Sequence, residues 1–229
     1  MNKNNRAIAI SILIVAVVIG GAILYASMSS SNAGFGAQAR NNNPASSTAP
    51  SAANEPFIGN PNAPLTLFYW HDFQCPFCGR FDTETLPALV SEYVSTGKLR
   101  IVFKDFVFLG PDSETTAIAS RAVWDVASSS YDAWQNTIYA HQGREGSGWA
   151  SRVNIIALTG TVPGINADKV SSLMDQNASA YQGEVSADYA EGQKFGISAT
   201  PGFFLDGQTF SGAQPLAFFE QVINADLAK

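Results

Sequence analysis

Cysteine and histidine are almost absent from this chain. Its 229 residues hold two of each. A structural zinc site takes about four ligands, and neither His71 nor His141 stands at a finger or ribbon spacing from the cysteines. No metal is therefore expected. Acidic residues are missing altogether from the first 54 positions. All 19 lie from Glu55 onward, beside 10 of the 13 Lys and Arg, which leaves that portion at −9. So acidic a body is poorly suited to neutralise phosphates, which argues against a nucleic-acid partner. Its plain consequence is solubility.

Long apolar runs are also scarce, with one exception. Ala7–Tyr25 has no charge over 19 residues. A helix of that length spans roughly 28 Å, close to the hydrocarbon core of a bilayer. Lys3 and Arg6 precede it, which points the N-terminus to the cytoplasm and the remainder outward. Residues 1–25 are therefore expected to be a cytoplasmic stub and a single-pass anchor. A cleaved signal is the competing reading, with a weak small-residue site at Ser31-Asn32-Ala33. Either way the body is exported, where disulfides persist. Residues 26–54 are rich in Ser, Asn, Ala, Gly and Pro and cannot bury a core. They read as a flexible tether with a reach of roughly 30 Å.

The two cysteines stand together as Cys75-Pro76-Phe77-Cys78. Before them, Leu65–His71 is apolar and aromatic and reads as a buried strand. After them, Phe77 to about Thr96 reads as a helix, with Pro87 expected to kink it. Cys75 thus opens a helix, where unpaired N–H groups and the dipole favour a thiolate. Pro76 suits the first helical position. Cys78 lies one turn deeper. Cys75 is the expected nucleophile and Cys78 the resolving thiol. A structural staple closing so short a loop would constrain the unfolded chain little.

The rest of the body divides in two. Lys98–Phe106 reads as a second strand, parallel to the first. From about 111 to 195 the periodicity is helical, with Trp124, Trp134, Tyr139 and Trp149 as its core. Strand signals return at Phe203–Leu205. Asp206-Gly207 is a turn signal before Gln208–Phe210, and Pro215–Ala228 is a closing helix. Residues 55–229 are thus expected to form one α/β domain with a helical insertion at about 111–195.

Asp72-Phe73-Gln74-Cys75-Pro76-Phe77-Cys78, the insertion, and Phe195-Gly196-Ile197-Ser198-Ala199-Thr200-Pro201 come in that order. This set resembles the DsbA-like thiol-disulfide oxidoreductases of the thioredoxin superfamily, particularly their membrane-anchored branch. The resemblance implies a thioredoxin fold with an inserted all-helical subdomain, and no metal or organic cofactor. It implies that Pro201 is cis and faces the sulfurs, and that Thr200 pairs its backbone with an extended client segment. Pro76 and Phe77 would tune the redox pair. It further implies reduced or unfolded exported proteins as clients and a membrane reoxidase of the DsbB or VKOR type. With no dimerisation module in view, a monomer is expected.

Two departures stand out. Many such proteins carry a buried Glu six residues before the first cysteine as a proton acceptor. Tyr69 occupies that position, and a tyrosine is a poor base near neutrality. Lys104, His71 or water would have to serve Cys78 instead. Phe77 replaces the histidine that stabilises the thiolate in the best-known oxidase, so a less extreme oxidant is expected. A reductase or isomerase using the same pair, and a non-catalytic tethered module, remain the alternatives.

Overall fold

The computed structural model of the protein describes residues 49–229. The expected anchor, and the tether up to residue 48, lie outside the described residues. Among the described residues no helix is long and apolar enough to cross a membrane. Packing begins slightly before Glu55. Pro50 is already buried, and the Ser51 N–H donates to Glu191 Oε1 at 2.9 Å.

The sheet has five strands in the order β1-β3-β2-β4-β5. They are β1 (Phe57–Ile58), β2 (Leu65–His71), β3 (Leu99–Asp105), β4 (Gly202–Leu205) and β5 (Gln208–Ser211). Strand β2 is central. It pairs in parallel with β3, Tyr69 opposite Phe103, and antiparallel with β4, Tyr69 opposite Phe203. Strand β1 was not anticipated, because two residues are too few to show a period. It covers the outer edge of β3 in antiparallel pairing.

Period-two alternation sends side chains to two cores. Leu67, Tyr69, Ile101, Phe103, Phe203 and Leu205 face one side. Phe68, Trp70, Val102 and Phe204 face the other. The first face is covered by helix α1 (residues 76–94) and the closing helix, whose Phe81 and Phe219 meet Phe203 at 4.9 and 5.1 Å between ring centroids.

Helix α1 runs through four consecutive stretches, Pro76–Arg80, Phe81–Thr85, Leu86–Leu89 and Val90–Val94, the second and fourth π-wound. Pro87 lacks an N–H and crowds the carbonyl four residues back. The wide turn just ahead of it absorbs that conflict, so the kink expected at proline appears as a π-bulge.

The insertion comprises α2 (Pro111–Ala127), α3 (Tyr131–Ala140), α4 (Arg152–Thr159), α5 (Ala167–Gln176) and α6 (Ala178–Lys194), and α7 (Leu216–Leu227) closes the chain. Trp134 and Tyr139 are buried as expected, whereas Trp124 and Trp149 are only half-buried.

Around the end of β3, charges are buried among themselves. Arg121 of α2 donates from Nε to Asp105 Oδ2 at 2.8 Å and from Nη1 to Glu55 Oε2 at 2.7 Å, and from Nη2 to Asp188 of α6. Lys104 of β3 donates to Glu55 Oε1 at 2.8 Å and meets Asp188 Oδ1 at 2.5 Å. This knot ties the segment before β1, strand β3 and two insertion helices to one another.

Candidate redox site

The expected pair sits where β2 ends and α1 begins. Asp72 and Cys75 close a turn, with the Cys75 N–H donating to Asp72 O at 3.0 Å. Cys75 is the N-cap of α1, in extended conformation, with Pro76 in the first turn. Both cysteines are free thiols. Cys75 is 5% exposed and Cys78 fully buried. The site therefore presents one sulfur at its rim and hides the other.

Their environments push the two thiols apart. Cys75 is drawn down from 9.0 to about 6. The Cys78 S–H donating to its sulfur is the main cause. Burial opposes it, and the Thr200 side chain and the N–H groups of Cys78 and Phe77 assist. Cys78 is driven well above 9.0, first by burial and then by the same hydrogen bond seen from its donor side. Around neutrality, then, the sulfur at the rim is the anion and the deeper one holds the proton. That division is what a dithiol nucleophile requires.

Thr200 and Pro201 arrive from the other end of the chain. Their peptide bond is cis. The Thr200 carbonyl lies 3.4 Å from Cys75 Sγ, within reach of the thiol as donor. The buried Thr200 Oγ1 has no hydrogen-bond partner among the described residues, which leaves its O–H free for a thiolate. Phe77 is 54% exposed, and Arg80 lies over its ring at 5.2 Å. A pocket of about 390 Å³ lined by Phe106, Phe108, Tyr189, Ile197 and Ser198 borders the cis-proline loop.

The insertion is bolted to this turn through residues whose role has no local signal in the sequence. Gln142 Nε2 donates to Phe73 O at 2.7 Å and Cys75 O at 3.0 Å. A side chain at position 79 would stand 2.3 Å from Gln142 Oε1, so glycine there leaves Gln142 room to hold both bonds. Asp72 accepts from Ser113 Oγ and from the N–H groups of Phe108 and Leu109.

Two expected proton acceptors for Cys78 are placed elsewhere or disabled. Lys104 lies on the opposite face of the sheet, held by Glu55 and Asp188. His71 is on the correct face and fully buried, and burial drives it down from 6.5 to about 3. Its Nδ1 is 2.8 Å from the Tyr139 hydroxyl. It is therefore neutral throughout the working range. A buried carboxylate that does act on Cys78 is that of Asp82. Its Oδ2 accepts from the Tyr69 hydroxyl at 2.6 Å, and its Oδ1 from Gln135 Nε2 at 2.6 Å. Burial raises Asp82 from 3.8 to about 7.

A mixed sheet around a parallel β2-α1-β3 unit, a dithiol at the helix start and a cis-proline beside it define a thioredoxin-fold thiol-disulfide oxidoreductase, here with a DsbA-like helical insertion. A family model described as Thioredoxin matches residues 51–225, and the chain belongs to that family. A probable disulfide bond formation protein D from Bacillus cereus is 26% identical over 151 residues, 66% of this chain and 69% of the relative. Disulfide bond formation protein D from Bacillus subtilis is 24% identical over 185 residues, 81% and 82% of the two chains. The crystal structure of oxidised BdbD from Bacillus subtilis shares the fold with a TM-score of 0.74 at 23% identity, covering 82% of this chain and all of that one.

Proposed function

We propose that this protein is an extracytoplasmic, membrane-tethered dithiol oxidase that introduces disulfides into exported proteins through Cys75-Pro76-Phe77-Cys78. One observation carries the direction of electron flow. The Cys75 thiolate is stabilised in the reduced protein by the Cys78 thiol, the Thr200 side chain and the first N–H groups of α1. Stabilising the reduced form makes the disulfide easier to give away. The names of the Bacillus relatives agree with this direction.

A client thiolate attacks Cys75, Cys78 leaves, and a mixed disulfide forms. The client's second thiolate then attacks its own bonded sulfur and expels Cys75. The client gains one disulfide and the protein is left reduced. Thr200 backbone pairing would hold the extended client segment, and the pocket beside Ser198 would accept an uncharged client side chain. A membrane partner of the DsbB or VKOR type would reoxidise the pair, and the apolar run at Ala7–Tyr25 would keep the two on one surface.

Equilibration with glutathione tests the direction. Phe77 adds no charge to the thiolate, so the potential is expected to be more negative than the roughly −120 mV of the strongest oxidants. It should stay more positive than about −220 mV. A value near −270 mV would assign the protein to the reductases.

A further inference from the structure

Thiol-disulfide exchange at Cys75 leaves one chemical question open. Cys78 has no exposed surface, yet it must release a proton whenever it attacks and regain one whenever it leaves. Its surface is out of contact with solvent, Lys104 is on the wrong face, and burial holds His71 neutral. We infer that the Asp82 carboxylate exchanges this proton with Cys78, held in place by Tyr69 and Gln135.

The geometry is specific. Asp82 follows Cys78 by four residues on α1, a spacing that puts two side chains on one helix face. Cys78, Asp82, Thr85 and Leu89 are all buried on that face. Asp82 also acts on Cys78, adding to the forces that hold its thiol protonated. Tyr69 from β2 and Gln135 from α3 each donate to one carboxylate oxygen. A carboxyl group poised near neutrality can both accept and return a proton at working pH. Tyr69 is thus a positioning residue, and the site normally given to an acid on the strand has been filled from the helix. The insertion, through Gln135, completes the site.

In a mixed disulfide on Cys75, the proton of Cys78 passes to the Asp82 carboxylate. The Cys78 sulfur attacks Cys75, the Cys75–Cys78 bond forms, and the bond from Cys75 to the departing group breaks. That group leaves reduced, as a thiolate. In the oxidising direction the same proton returns from Asp82 to Cys78.

Other titratable groups face Asp82. They are Tyr69 from β2, Cys78 on its own helix, and Tyr131, Asp132 and Tyr139 from α3. The tyrosines are all held above 10.0 and do not ionise near neutrality. Asp132 is raised by burial, so an Asp132 inflection would survive removal of Asp82.

The inference rests on the exchange reading, and one experiment separates the two. Glutathione is attached to Cys75 in the full chain, and its release is followed against pH. Release should rise through an inflection near pH 7. In Asp82→Asn it should be at least about tenfold slower at pH 7.5, with that inflection gone. The variant is expected to fold, because the unpartnered Gln135 Oε1 can accept from the new amide once the Gln135 amide turns over. Tyr69→Phe removes one hydrogen bond that lowers Asp82 and should move the inflection to higher pH. A native rate and profile in both variants would overturn the inference, as would an inflection that persists in Asp82→Asn. Failure of Cys75 to take up glutathione in the unaltered protein would overturn exchange itself.

Discussion

Cys78→Ser should accumulate covalent adducts between Cys75 and client proteins, visible on non-reducing gels and removed by reductant. Cys75 retains the features that make it nucleophilic: the helix N-terminus, the adjoining N–H groups and Thr200. It can attack a client disulfide. The client's other sulfur leaves as thiolate, and nothing buried remains to resolve the bond. Serine can still donate a hydrogen bond to the Cys75 sulfur, so the nucleophile is retained while the resolving atom is lost.

Cys75→Ser should behave in the opposite way. Cys78 is fully buried and held protonated, so exchange is expected to fall to the uncatalysed level with no adduct formed. The asymmetry between the two variants is the signature of one attacking sulfur at the rim and one hidden resolving sulfur. A binding module with an inert disulfide predicts no adduct from either.

Arg121→Met should cost about 3–5 kcal/mol of stability, the usual effect of leaving buried charges unpaired. The guanidinium serves Glu55, Asp105 and Asp188 together, and Lys104 alone cannot replace it. Arg121→Lys is expected to recover little, since one ammonium cannot reproduce the fork. The deficit should depend on pH. Burial already raises Glu55 to about 7 and Asp105 to about 6, with Arg121 opposing both shifts. A carboxyl raised in the folded state contributes stability below its unfolded pKa and loses it as pH rises through the folded one. Without the guanidinium these carboxyls rise further. The variant should therefore be closest to the unaltered protein near pH 5 and furthest from it near pH 8, as read by chemical denaturation at both.

Much of the site was legible because its signals are local. A β-rich apolar run, a proline in the first helical turn and a C-x-x-C spacing all act within a dozen residues. The insertion helices were legible for the same reason, and all five fall within the helical stretch expected at about 111–195. The proton acceptor was not legible, because it depends on register. That Lys104 shares a face with Trp70 and not with Tyr69 follows only once Tyr69 is set opposite Phe103.

Asp82 did leave a trace. The spacing of Cys78, Asp82, Thr85 and Leu89 marks one helical face, and a carboxylate on an otherwise buried stripe is a functional signal. A lone aspartate on a helix is ordinarily solvated, so the spacing by itself does not single it out. Gln142 and Gln135 left none. Their partners lie more than 50 residues away, and a single glutamine in a polar stretch has no period to betray it.

The claim that this pair gives its disulfide to a client is tested most directly by stoichiometry. The oxidised full chain is mixed with an equal amount of a reduced, unfolded protein containing two cysteines, without other oxidant, and free thiols are counted on each partner. The account predicts that the client loses two thiols for every two that appear at Cys75 and Cys78. A client that keeps both thiols while Cys75 and Cys78 remain oxidised would contradict it.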